Sequence, residues 1–589
     1  MANYCPFCGE ELAEEGGFCP FCGEELPSVS KPQRSKGFAA NLRPTTIPTY
    51  SRPSLPNKDL KSTSTAVIFT NLNKLARKFC YGGNSEWETQ RRVEQAIYNY
   101  TQFWEGNGVE QYLVLDAGEY EPQLLDDSTW KGHLRVLDDF CTANGISEKS
   151  PASIFIIGGS DVIPVPRIKN FAAWDYTLDT DLPYAYGSKS LKIGEGQCVD
   201  IEAFFRNRPR PRFYVSRLPF EEGFVNDGLE ILENYFANVQ KEYEANTEGS
   251  FVKLTKSVGM TVKDWMFETD YIQQDIPIMA NIKDVNGLVE NGLFICPSFD
   301  LNDERARDLY FKNAKAADFL FFNTHGGDEP GAAQYSNGVP IFDPQCFQKI
   351  NDVKLMASLA CYGARYISYK RYDSMLLTAL NDAGILSFFG SSRCSAVSNG
   401  PNGEVLYGAL LLKLYLDHLL NEGLPMAESF MKAKYELIDS GGDEEMRMLT
   451  IFEFDVYGEP MLQFSERSAK GETWNTVFSN FDNRLRSFGS RRYQTVYNKS
   501  AHDSGKPMSI LDKVRQSVDA SFMRIRSTID KELCSKYGIK PESLASACSV
   551  STLGKKSYRL IYDQTGDPSR ATTVCADDKG NIKEVIYSR

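Results

Sequence analysis

Ala317-Asp318-Phe319-Leu320-Phe321-Phe322-Asn323-Thr324-His325-Gly326-Gly327 is an apolar run that ends in a histidine and two glycines. About one strand-plus-helix unit later, Leu355-Met356-Ala357-Ser358-Leu359-Ala360-Cys361-Tyr362-Gly363 is a second apolar run, and it ends in a cysteine. Each reads as a buried parallel strand whose polar group sits where the strand gives way to a loop. In open α/β sheets that carboxyl edge is where sites are built. A base and a thiol on one edge suggest a cysteine nucleophile with a histidine beside it. Histidine is scarce: the chain has four, and His133, His418 and His502 lack both the preceding apolar strand and the following Gly-Gly. Taken singly, His325 reads as well as a satisfied core histidine, and Cys361 reads as a small buried hydrophobe. The pairing is what points to chemistry. Gly326 has no side chain, so its N–H can face a substrate carbonyl and, with the N–H of Cys361, bind a developing oxyanion.

Strands and helices alternate on both sides of this pair. Upstream, strands are expected at 66–69, 112–115 and 154–157, with helices at 86–103 and 134–140 between them. A strand around Arg217 and a long helix at 227–245 close that unit. A second unit starts with a strand at 254–261, holds the His325 and Cys361 strands and a buried strand at 385–390, and continues through helices at 405–420 and 426–438. The alternation predicts a parallel sheet with helices on both faces. The units are placed at residues 63–248 and 249–470.

The chain ends differ in composition. Cys5-Pro6-Phe7-Cys8-Gly9-Glu10-Glu11-Leu12 recurs as Cys19-Pro20-Phe21-Cys22-Gly23-Glu24-Glu25-Leu26. Two C-x-x-C knuckles with a short spacer are a zinc signature, and four thiolates make a closed, structural tetrahedral site. Residues 1–26 therefore read as a minimal zinc ribbon with one Zn2+ on Cys5, Cys8, Cys19 and Cys22. So short a unit has too little core to fold without metal. The alternative is a redox C-x-x-C pair, which normally sits on a strand–helix scaffold. The ribbon holds six glutamates and no Lys or Arg, which disfavours DNA and suits a protein contact. Residues 27–62 are a basic, Pro/Ser/Thr-rich flexible linker. Residues 471–589 read as a separate α+β accessory domain: an amphipathic helix at 510–534, strands at 558–562, 572–576 and 583–587, and a hairpin turn at 577–581.

Six segments together resemble the gingipain-type cysteine peptidases of the caspase-related clan. They are Ile154-Phe155-Ile156-Ile157-Gly158-Gly159-Ser160-Asp161-Val162-Ile163-Pro164, Thr180-Asp181-Leu182-Pro183-Tyr184, and Tyr214-Val215-Ser216-Arg217-Leu218-Pro219, where Ser216 replaces the family's usual glycine. His325-Gly326-Gly327, Ala360-Cys361 and Phe454-Asp455-Val456-Tyr457-Gly458-Glu459-Pro460-Met461-Leu462 complete the set. They stand in the family's order across roughly residues 63–465. The resemblance implies a caspase-like parallel-sheet sandwich in two gingipain-like subdomains. It also implies an endopeptidase that needs no cofactor: Cys361 attacks the scissile carbonyl as a thiolate, His325 serves as acid and base, and the Gly326 and Cys361 N–H groups stabilise the oxyanion. The family's acidic residue that orients the histidine falls nearest Asp264, which reads otherwise as a solvated loop carboxylate. Glu268-Thr269-Asp270-Tyr271 resembles the segment that supplies the aspartate of the arginine-selective S1 pocket. Asp270 would then select a basic P1 residue, or it is simply an acid in a helix's first turn. Arg393, in the loop Gly390-Ser391-Ser392-Arg393-Cys394-Ser395-Ala396-Val397, falls at the S1 wall. It would either neutralise Asp270 or favour an acidic P1.

Bulk properties agree with a soluble, cytoplasmic enzyme acting on protein or peptide. No apolar stretch reaches about eighteen residues. The N-terminus lacks a basic-then-apolar leader, although the known gingipains are secreted. The fourteen cysteines are mostly scattered singly, which suits a reducing compartment. A net charge of −13 argues against general nucleic-acid binding. Two other classes stay open: a catalytically silent adaptor on the same fold, and acyl transfer or ligation through the same thioester.

Overall fold

The computed structural model describes most of residues 63–465 and 543–588, together with Asn3–Tyr4, Glu11–Leu12, Tyr493–Gln494 and a few positions between 526 and 539. Residues 1–50 and 51–589 form two compact units. In the first, Asn3–Tyr4 pairs antiparallel with Glu11–Leu12.

In the second unit the strands of the two largest sheets, together with the short strand His325–Gly326, are, in chain order, β1 (Thr65–Thr70), β2 (Gln111–Asp116), β3 (Ala152–Ile157), β4 (Phe213–Leu218), β5 (Ser257–Val262), β6 (Val289–Glu290), β7 (Leu293–Cys296), β8 (Phe319–Asn323) and β9 (His325–Gly326). There follow β10 (Leu355–Ser358), β11 (Ser387–Ser391), β12 (Ala396–Asn399), β13 (Phe454–Gly458), β14 (Tyr493–Gln494), β15 (Leu544–Thr552), β16 (Lys555–Asp563), β17 (Ala571–Asp577) and β18 (Ile582–Ser588). Eleven of them form one sheet in the order β6-β7-β5-β8-β10-β11-β13-β4-β3-β1-β2. Strands β3, β4, β5, β8, β10, β11 and β13 are buried along their whole length. That is why they read as continuous apolar runs without alternation.

The expected parallel sheet is therefore present, but it is a single sheet that crosses the 248/249 boundary. The join is a seam: β13 runs antiparallel to β11 and parallel to β4, which it meets through Tyr457 and Arg217. Strands beyond the seam on either side keep one direction, apart from the two-residue edge strand β6.

Helices pack against the sheet. Glu86–Gly106 starts at a capping box between Ser85 and Glu88, two of its orphan N-terminal groups being satisfied reciprocally. It packs on Gly228–Glu244 through Tyr100 stacked on Phe236, ring centroids 3.9 Å apart. Tyr407–Leu416 and Met426–Leu437 pack on β11 through Phe389, Tyr415 and Phe430.

The tail builds a second sheet, β12-β18-β17-β16-β15-β14, with its own core around Leu533, Tyr558, Leu560, Val574 and Val585. Strands expected at 558–562, 572–576 and 583–587 are β16, β17 and β18. The 577–581 turn is held by Asp577, whose carboxylate accepts the Lys579 and Asn581 N–H groups. Most of the expected helix at 510–534 lies outside the described residues. The accessory domain is not wholly separate, because its sheet takes in β12 from the 249–470 segment.

Candidate active site

The site stands on β8 and β10, adjacent parallel strands in register from Phe319–Leu355 to Phe322–Ser358. Leu359 extends the ladder by one bond, its N–H donating to the Phe322 carbonyl at 2.9 Å. His325 and Cys361 each lie three residues beyond the last matched pair, so both leave the sheet at the same edge. Immediately past β8 the chain turns into β9, which pairs with Gln334–Ser336. Past β10 it folds into a tight turn in which Gly363 N–H donates to Ala360 O at 3.2 Å.

Gly326 is where the two loops meet. A Cβ built on it would lie 1.8 Å from the carbonyl oxygen of Cys361 and 3.1 Å from the Ala360 methyl. No residue with a side chain fits there without moving backbone. The structure thus brings together His325, Gly326 and Cys361.

The thiol is held closely. Cys361 is 1% exposed, and its sulfur accepts the Ser395 N–H at 3.2 Å. Burial, with the Cys394 sulfur hydrogen-bonded beside it, pushes the Cys361 thiol well above its ordinary range, and the Ser395 N–H offsets only part of this. Tyr362, next in sequence, has φ 56, a left-handed conformation uncommon for a bulky residue. It is fixed there by its N–H bond to Arg393 O at 2.8 Å. Such local strain persists only where surroundings over-determine it, and it clusters at functional sites.

His325 is half-buried, its ring 4.4 Å from that of Trp265 and inclined at 61°. Trp265 opens the helix Met266–Gln273. Thr269 ties that helix to the sheet edge, bonding Thr261 at 2.8 Å and Asn323 at 2.9 Å. Asp270 lies in the same helix, one residue beyond Thr269; its side chain, and the whole of Asp264, lie outside the described residues.

Arg393 does not stand alone at the wall. Its guanidinium bonds the Asp179 carboxylate at 2.6 Å, and Arg167 approaches the other oxygen of Asp179 at 3.1 Å. Ser392 Oγ donates to Asp179 O at 2.7 Å, so the wall is stitched to the first α/β unit.

The three upstream motifs converge on Arg217, which is fully buried. It grips Asp181 with two bonds of 2.7 and 2.6 Å and donates to Gly158 O and Ile163 O at 2.9 Å each. Three separate stretches of sequence are thereby closed around one guanidinium.

Cys5, Cys8, Cys19 and Cys22 lie outside the described residues. Among the described residues no group of three or more His, Cys, Asp or Glu is placed to hold a metal. Among the described residues, Cys141, Cys346 and Cys361 form no disulfide. No helix among the described residues is long and apolar enough to cross a membrane.

No family model matches the chain, and no curated protein matches it in sequence. Among solved structures it is similar to the Arg-specific cysteine proteinase gingipain R, at 9% identity and a TM-score of 0.44 over 90% of this chain and 98% of that one. A complex of the pro- and mature domains of the Porphyromonas gingivalis enzyme gives 8% identity and a TM-score of 0.43, over 88% and 99% of the two chains. A structure described as a protease gives 11% and 0.44, over 90% and 98%.

Proposed function

We propose that the chain is a cysteine endopeptidase. The observation that supports this most is the contact of Gly326 with the Cys361 carbonyl, which places a histidine-bearing loop and a thiol-bearing loop together at one sheet edge. On this reading the Cys361 sulfur attacks the scissile carbonyl carbon, and the thiol proton passes to His325. The Gly326 and Cys361 N–H groups receive the oxyanion, and His325 returns a proton to the leaving amine. The resulting thioester is hydrolysed by water. Burial raises the Cys361 thiol, which fits a proton that leaves only as substrate engages.

Asp264 would orient His325. Asp270, on the helix Met266–Gln273, would favour Arg or Lys at P1. Arg393 is engaged by Asp179, which leaves it less charge to offer a substrate acid. The four N-terminal cysteines would hold one structural Zn2+; the antiparallel pairing of Asn3–Tyr4 with Glu11–Leu12 is compatible with a knuckle at Cys5 and Cys8. The ribbon would serve a protein contact, and the enzyme would work in the cytoplasm.

A specific observation favours the silent-adaptor reading too: the Cys361 sulfur belongs to a residue that is 1% exposed. Purified protein, a library of proteome-derived peptides and an electrophilic peptide probe decide between them. Wild type should cleave and label, whereas Cys361→Ala and His325→Ala should do neither and melt within a few degrees of wild type. Cleavage retained by both variants would falsify the dyad. Labelling without cleavage points instead to acyl transfer.

A further inference from the structure

We propose that the C-terminal strand β18 keeps the loop around Cys361 closed, and that the thiol becomes accessible when β12 is released from it. This rests on the peptidase reading only for its effect on hydrolysis, not for its effect on the thiol.

Ser395, whose N–H bonds the Cys361 sulfur, is the residue immediately before β12. Among the described residues the only strand paired with β12 is β18. The pairs are Ala396 with Ser588, Val397 with Tyr587, Ser398 with Ile586 and Asn399 with Val585. On its other side β18 pairs with β17, and Val585 belongs to the tail's own core. The loop is therefore fastened to a folded body and not to a loose chain end.

Its upstream end is fastened more heavily. Ser391 O accepts the Ala364 N–H at 2.9 Å, Arg393 O accepts the Tyr362 N–H, and Ser392 N–H donates to Glu453 O at 2.8 Å. The Arg393–Asp179 pair adds to these. That end also continues β11, in the middle of the large sheet.

A peptide carbonyl must come within bonding distance of a sulfur that is 1% exposed, between Cys394 and Ser395 that are 0% exposed. Something in the wall has to move. Breaking an edge pairing of four residues costs less than opening a central strand, because edge elements open sub-globally at a fraction of the global stability. The β12–β18 pairing is the weaker fastening, so it is the hinge at which the wall opens. The tail domain then acts as a regulator in cis, and a ligand that draws β18 away switches the site on.

The test compares the full chain with two variants: a chain ending at Asn581, which lacks β18, and Tyr587→Pro, which removes a backbone N–H from the strand. The readout is the rate at which iodoacetamide alkylates Cys361, followed by the mass of its tryptic fragment. Cys141 and Cys346, buried elsewhere, report unfolding in the same digest. Both variants should alkylate Cys361 about tenfold faster, with Cys141 and Cys346 unchanged. A synthetic peptide of residues 580–589 should slow the truncated chain again. Unchanged or slower alkylation of Cys361 overturns the proposal, and so does equal acceleration at all three cysteines or failure of the peptide to reverse it. Hydrolysis measured on the same samples separates the two readings: faster alkylation with no cleavage keeps the hinge and removes the peptidase.

Discussion

At Gly326 a hydrogen atom stands where any other residue would place carbon against a carbonyl oxygen. Gly326→Ala must push β9 away from Cys361, because the obstructing atom is backbone and cannot rotate aside. Overpacking of this kind costs about 1–3 kcal/mol of stability. If Gly326 N–H also binds the oxyanion, peptide cleavage should fall about a hundredfold or more while the chain still folds. Peptide kinetics alongside a melting curve check this, and full activity in a folded variant would remove Gly326 from the site. The His325 and Cys361 positions were legible because each ends a run of bulky apolar residues. Their neighbours were not. Trp265, before a helix, and Asp179, at the end of a short strand, reach the site from distant points in the chain, and nothing in their local sequence marks the encounter. Asp179 in particular turns Arg393 from a free cation at the wall into a partner in an ion pair.

Strands and helices give two further expectations. Arg217 on β4 is the only described side chain that bonds Asp181, Gly158 and Ile163 together, and it does so without water access. Arg217→Met leaves the Asp181 carboxylate buried without its cation and should cost about 3–5 kcal/mol, whereas Arg217→Met with Asp181→Leu should recover much of it. Urea midpoints of the three proteins test the pair, and equal losses in single and double variants would contradict this account. Glu459, at the end of β13, accepts hydrogen bonds from Tyr100 at 2.7 Å, Tyr112 at 3.0 Å and the Met461 N–H at 2.9 Å. Burial raises its carboxyl to about 7, and those bonds offset only part of the rise. An acid raised on folding adds stability that is full below its unfolded value, about 4.3, and is lost as pH rises through about 7. The loss is on the order of 3 kcal/mol. Glu459→Gln should therefore flatten the fall in melting temperature between pH 5 and pH 8, and a slope equal to wild type would show that Glu459 does not titrate there. The elements that sequence reading located, such as β1, β3 and β8, are rich in Ile, Val, Leu and Phe. Strand β15, Leu-Ala-Ser-Ala-Cys-Ser-Val-Ser-Thr, escaped because small residues make its pattern faint, although β16 pairs with it along nearly its whole length.

Over the whole molecule, the strand–helix alternation gave the α/β architecture but not the seam. Direction reverses between β11 and β13, a pairing set by long-range packing and not by local pattern. The N-terminal segment is tested by composition. The purified chain should hold about one zinc, and deleting residues 1–26 should remove it while the rest stays folded; zinc that survives the deletion would belong elsewhere. The linker carries Lys31, Arg34, Lys36, Arg43, Arg52, Lys58 and Lys61 against one acid, Asp59. If Asp270 selects basic P1 residues, tethering makes this linker the nearest substrate, at an effective concentration of about a millimolar. Intact-mass analysis should then find cuts after Lys or Arg within residues 31–61, absent in Cys361→Ala. Sustained cleavage of a basic peptide with the linker whole would rule out self-processing. The β12–β18 pairing has one more consequence, in time. Its two strands lie about 190 residues apart in the chain. A ribosome adding about 5–20 residues per second releases β12 some 10–40 s before its partner exists. Through that interval the nascent chain can fold its large sheet, with both His325 and Cys361 already made, while the loop beside the sulfur still lacks its fastening.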